Sequence, residues 1–175
     1  MEDYRFPIGH FEQEGPITAG QRELWIKEIG QLPGKLRLAI EGLSEAQLDT
    51  PYRDGGWTVR QVVHHLADSH MNSFIRFKLA LTEDKPTVKP YSEKRWAELA
   101  DTATAPIELS LHLLEALHER WVHLLHAMSD ADFERSFYHP ESQRTIPLDY
   151  NLGTYAWHGN HHAAHITSLR ARKGW

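Results

Sequence analysis

Apolar side chains return every three or four positions along four long stretches of the chain, the period of a helix buried on one face. The first stretch follows Thr18, placed as a helix cap, and carries Leu24, Trp25, Ile29 and Leu32. Pro33 and Gly34 then interrupt it before helical spacing resumes to about Leu43, so one kinked helix and two separate ones both stay open. The second stretch begins at Thr58, where Gln61 completes a capping box, and predicts a helix to about Glu83. The third runs from Pro106 to about Met128. The fourth opens at Pro147, suited to the first helical position, and continues to about Lys173, where Gly174 is placed to end it.

The segments between them are short. Residues 1–17 contain Pro7, Gly9, Gly15 and Pro16 and read as an irregular arm. Ser44 with Gln47 predicts a capped turn, Thr50–Gly56 a loop, and Asp84–Pro90 a linker. Ser92–Ala100 predicts a short helix, 101–105 a further linker, and Ser129–Asp132 another turn. Phe137–Ile146 reads as irregular or extended. Four long helices with little strand signal predict an all-α bundle. No internal repeat appears, and 175 residues suit one domain spanning 1–175.

Composition mostly excludes. Hydrophobic residues at 41% and charged residues at 25% are ordinary globular usage, which argues against disorder. The net charge of −5, with dispersed basic residues, offers no stripe for nucleic acid or an anionic membrane. The absence of cysteine removes disulfides, thiolate ligands and a cysteine nucleophile together. Met1-Glu2-Asp3 is acidic where a signal peptide is basic, and no apolar run approaches the roughly 18 residues of a membrane helix. A cytoplasmic location is expected. The one anomaly is the 13 histidines.

Sorting those histidines by helix face separates them. On the Pro106–Met128 helix the apolar face is expected at Leu109, Leu113, Leu117, Trp121, Leu124 and Met128. His112, His123 and His126 then fall on a solvated side with Glu115 and Glu119, and His118 falls at its edge. His118-Glu119 with His123 is one residue too long for the H-E-x-x-H zinc motif, and Glu115-x-x-His118 has no second copy to make a di-metal site. The last helix differs. His158, His161, His162 and His165 form two i,i+4 pairs, and Asn151, His158, His162, His165 and Leu169 share one core-like face, with Gly159 and Ala163 behind.

A metal site needs a third ligand, and the other dense cluster is His64-His65-Leu66-Ala67-Asp68-Ser69-His70. His70 lies within the apolar stripe and reads as a buried, satisfied histidine. His65 lies on a polar stripe with Gln61, Ser69, Asn72 and Arg76, which suits the lining of an internal cavity. His64 points a third way and is not excluded by periodicity. Three neutral imidazoles would leave a tetrahedral ion one open position, the pattern of catalytic zinc. Such an ion lowers the pKa of a bound water toward about 7 or stabilises a bound thiolate. Nitrogen ligation suits Zn²⁺ or Ni²⁺, with Cu²⁺ and Fe²⁺ also open.

The run from Pro51 to His70, read with Trp157-His158 and His161-His162, resembles the YfiT group of the DinB-like superfamily, and the likeness extends over nearly the whole chain. The resemblance implies a four-helix bundle, commonly a homodimer, with one divalent metal held by His65, His158 and His162. It alone decides between the His158/His162 and His161/His165 pairs. It implies a metal-dependent hydrolase acting on a small molecule. The alternative is an S-transferase using a low-molecular-weight thiol such as bacillithiol in detoxification. A non-enzymatic, metal-stabilised helical module is a further alternative. Around the metal, Arg53, Trp57, Asn72 and Arg76 are candidates to contact an anionic substrate.

Overall fold

Thr18 starts the first helix as the pattern requires: its hydroxyl accepts the amide of Gln21, and α1 runs from Ala19 to Ile40. In the computed structural model, which describes residues 4–175, α1 continues through Pro33 as one helix. The acidic start at Met1–Asp3 lies outside the described residues. A short α2 (Glu45–Leu48) follows. The second long helix, α3 (Val59–Thr82), is opened by the capping box of Thr58 and Gln61. Two short helices, α4 (Glu93–Trp96) and α5 (Ala100–Thr104), lead to α6 (Ile107–Ala127). The stretch 101–105 is therefore mostly helical rather than the linker its composition predicts.

Beyond α7 (Asp130–Glu134), the stretch expected to be irregular or extended forms an antiparallel hairpin. Strand β1 (Ser136–His139) pairs with β2 (Arg144–Pro147) in the register Phe137↔Ile146 and Tyr138↔Thr145. Phe137 is fully buried and anchors it. Pro147 ends β2 and is the N-cap of the last helix, α8 (Leu148–Lys173), which therefore begins one position later than predicted. Gly174 closes α8 in the left-handed conformation that glycine adopts without strain, at φ 69°. The architecture is a four-helix bundle of α1, α3, α6 and α8 with a small appended sheet. No helix among the described residues is long and apolar enough to cross a membrane.

The apolar face expected on α6 is corrected by the structure. Leu109 and Leu113 are exposed, at 63% and 43%, whereas Ile107, Leu111, Leu114, Leu117, His118, Trp121 and Leu125 are buried. The helix packs against both α1 and α3, so two neighbours set its buried arc, not the densest row of leucines. His112, His123 and His126 are exposed as predicted, but His118 is fully inside.

The core divides into two apolar regions. One gathers Leu36, Val62, Val63, Leu66, Leu114 and Ile166; the other gathers Ile29, Phe77, Trp121, Phe137, Leu148 and Leu152. His70 on α3 and His158–His165 on α8 lie between the residues that enter one region and those that enter the other, and His118 on α6 lies near the same boundary. A polar layer thus crosses the bundle between two hydrophobic halves. Gly159 permits α8 to approach α1 there, because a Cβ at that position would press into Leu32.

Candidate metal centre

Three imidazoles from two helices converge in that layer. His65 comes from α3, and His158 and His162, one turn apart, come from α8. Each offers one nitrogen, and the three lie within 4.8 Å of one another. His65 Nε2 and His158 Nε2 are 3.3 Å apart. A tetrahedral ion with bonds of about 2.0–2.1 Å to nitrogen spaces its ligands by about 3.3–3.4 Å, so this pair fits one metal. Among the described residues, no other group of histidine, aspartate and glutamate side chains converges in this way.

Electrostatics favours the same use. Burial pushes His65 down to about 4. His158 and His162 are held well below the ordinary histidine range, first by burial and then by neighbouring imidazoles. Burying a cation without a partner is costly, so all three rings are neutral near pH 7, the protonation state that ligates metals.

Each α8 histidine of the cluster has another histidine behind it. His70 Nε2 lies 3.2 Å from His158 Nδ1, and His165 Nδ1 lies 3.3 Å from His162 Nδ1. The second nitrogen of His165 is 3.0 Å from the carbonyl oxygen of Arg5, and its ring stacks on Tyr52 with centroids 4.0 Å apart. The apolar stripe of α3 predicts a satisfied core residue at His70; it is fully buried, but its Nδ1 has no protein partner. His64 turns away from the cluster, with Nδ1 2.7 Å from Ser110 Oγ and Nε2 3.1 Å from the Ala105 carbonyl. His161 stacks on Trp157 at 4.5 Å.

Two cavities meet at the cluster. One of about 410 Å³ is lined by Arg53, Trp57, His65, Trp157, His158 and His162, among others. A second of about 390 Å³ reaches His158 from the other side, past Ser69, Arg76, Arg144 and Tyr155. Trp57 is a wall of the first cavity, its ring centroid 4.6 Å from that of His65. Arg53 lines the same cavity and donates to the carbonyl of Asp54, not to its carboxylate. Arg76 lines the second, with its guanidinium 5.9 Å from the Phe137 ring centroid. Asn72 lines neither; its amide folds back onto the carbonyl of Asp68 at 2.8 Å.

Sequence reasoning missed Glu93, which lines both cavities. Its carboxyl is raised above the usual range, chiefly by burial and then by Glu141, against the opposing charge of Arg76. Ser92 signals a helix start there, but no sequence feature places α4 beside the histidines.

Fold and site together define a helical-bundle protein with an open three-histidine cluster in its polar layer. The model of the DinB superfamily matches residues 28–166, and the chain belongs to that superfamily. A Bacillus cereus (strain ATCC 10987) protein named "Putative metal-dependent hydrolase" is 58% identical over 175 residues, the whole of both chains. A Bacillus mycoides (strain KBAB4) protein with the same description is likewise 58% identical over the full length of both. Among solved structures, YfiT from Bacillus subtilis superposes with a TM-score of 0.96 at 53% identity, covering 98% of each chain. It is described as a probable metal-dependent hydrolase with an unusual four-helix bundle topology. The likeness expected from Pro51–His70 is therefore found across the chain.

Proposed function

We propose that this protein is a metal-dependent hydrolase of a small-molecule substrate, with one divalent ion held by His65, His158 and His162. The observation that carries the reading is the convergence of three neutral imidazoles within 4.8 Å, at the meeting point of two cavities. The description of its full-length relatives as metal-dependent hydrolases supports the same reading. The donor set favours Zn²⁺, with Ni²⁺ the alternative. When bound, such an ion supplies Lewis acidity, which brings the deprotonation of water toward neutral pH.

The chain supplies the rest. Three ligands leave one tetrahedral position for the reaction, and Trp57 limits access to it. Arg53 and Arg76 offer guanidinium groups to an anionic portion of the substrate, one in each cavity. Glu93 is the candidate proton acceptor, since it is a carboxylate that lines both cavities beside the histidines.

Elemental analysis of untagged protein tests the ligand set. About one equivalent of metal, lost in both His65→Ala and His162→Ala, is expected on the three-ligand geometry. Stoichiometric metal surviving in both variants would sink the assignment. Turnover of a panel of esters and amides then tests hydrolysis. Metal-dependent turnover only when bacillithiol and an electrophile are supplied would instead make the protein an S-transferase.

A further inference from the structure

The proton positions behind the cluster follow from one backbone carbonyl. The Arg5 carbonyl can only accept a hydrogen bond, so the nitrogen 3.0 Å from it, His165 Nε2, carries the proton. A neutral imidazole has one such proton, which leaves His165 Nδ1 as an acceptor. That acceptor lies 3.3 Å from His162 Nδ1, so His162 Nδ1 carries the hydrogen and donates it. His162 Nε2 is left with a free lone pair, the form in which it can bind a metal.

Resting on the metal reading above, we propose that His165 is a positioning residue: anchored by the Arg5 carbonyl, it fixes the tautomer and ring orientation of His162 and so ties the N-terminal arm to the metal site. Its surroundings hold the device in place. His165 is 3% exposed, Tyr52 stacks on its ring with an interplanar angle of 20°, and Arg5 and Phe6 line the cavity over the cluster. His158 has no equivalent anchor. Its partner His70 makes no hydrogen bond to a carbonyl and leaves Nδ1 unpartnered, so either tautomer of His158 satisfies that contact.

Two measurements on the full-length protein test this. In metal-free, ¹⁵N-labelled protein, two-bond ¹H–¹⁵N correlations should show His165 protonated at Nε2 and His162 at Nδ1. Zinc affinity, measured by competition with a chelator, should fall about 10–100-fold in His165→Phe, which keeps a stacking ring but loses both nitrogens. His165→Asn places an amide oxygen near the lost Nδ1 and should bind zinc at least about threefold more tightly than the Phe variant. The proposal is overturned by His162 protonated at Nε2 in the unchanged protein, or by zinc affinity in a folded His165→Phe within about twofold of the unchanged protein. Should that variant not fold, the tautomers of His162 and His165 in the unchanged protein still decide. Absence of zinc uptake by the unchanged protein overturns the metal reading and the positioning role with it. Normal uptake beside the wrong tautomer overturns the positioning role alone.

Discussion

The imidazole of His118 donates from Nδ1 to the carbonyl oxygen of Ile29 at 2.6 Å, joining α6 to α1 across the core. That carbonyl is available because of Pro33. Residue 33 is the one whose N–H would bond to Ile29 in a regular helix, and proline has none. A buried carbonyl without a partner costs about 1–3 kcal/mol, and His118 removes that cost. The uninterrupted passage of α1 through Pro33 and the burial of a histidine on α6 are thus one feature.

A double-mutant cycle tests the link. His118→Leu should lower stability by about 1–3 kcal/mol, because the Ile29 carbonyl is left buried and unpaired. Pro33→Ala restores an N–H to that carbonyl, so it should recover about 1 kcal/mol in the His118→Leu background and change the parent little. Urea unfolding of the four proteins gives the coupling. Simple additivity of the two substitutions would disprove it.

The same pair shows what was legible. Proline at position 33 announces an orphaned carbonyl four residues back, but which donor reaches it depends on how α6 packs, and local spacing placed His118 at the edge of a solvated face. The metal candidates were more legible. His158 and His162 are neighbours by helical period alone, and His65 sits on a polar stripe. The choice against His161/His165 was beyond the helical wheel because α8 is buried on most sides, with Gly159 against α1 and the histidines toward the layer. Glu93 and the hairpin at 136–147 depend on contacts between segments far apart in sequence, so periodicity carries no trace of them.

Gly159 gives a packing prediction. A Cβ there would overlap the terminal methyls of Leu32, which is only 2% exposed and has little room to yield. Gly159→Ala should cost about 1–3 kcal/mol of overpacking, partly offset by about 1 kcal/mol of helix propensity. The net loss should lower Tm by several degrees. Gly34, exposed on the same α1 with open space within 4 Å of where a Cβ would stand, is the control. Gly34→Ala should stabilise by about 0.5–1 kcal/mol, and scanning calorimetry on both variants separates packing from propensity.

Acid should destabilise the metal-free protein in a definite window. Burial lowers His65 and His118 to about 4, below the 6.5 of an exposed histidine. Between these values the unfolded chain binds more protons than the folded one, so stability rises with pH there. The contribution is fully present above pH 6.5 and is lost as the pH falls toward 4. For His118 alone it is on the order of 3 kcal/mol. Urea midpoints across pH 4–7.5 should therefore drop below pH 6.5, and less steeply in His118→Leu. An unchanged slope in that variant would remove His118 from the account.

Metal should stabilise the fold through the three histidines without being required for it. A ligand that binds only the folded state adds about 2.7 kcal/mol at a free concentration 100 times its Kd, so zinc should raise Tm in a concentration-dependent way. His65→Ala should abolish that rise. Because it truncates a ring that is only 4% exposed, it should also lower the baseline stability of the metal-free protein, so the zinc-dependent rise and not the baseline is the readout. The two apolar regions flanking the layer make the bundle's core without the ion, so chelated protein should retain its helical circular dichroism and a cooperative transition. A purely structural site predicts the reverse, with chelation unfolding the bundle as it does a zinc finger. Comparing the thermal melts of chelated and zinc-loaded protein, each with and without His65→Ala, decides between the two.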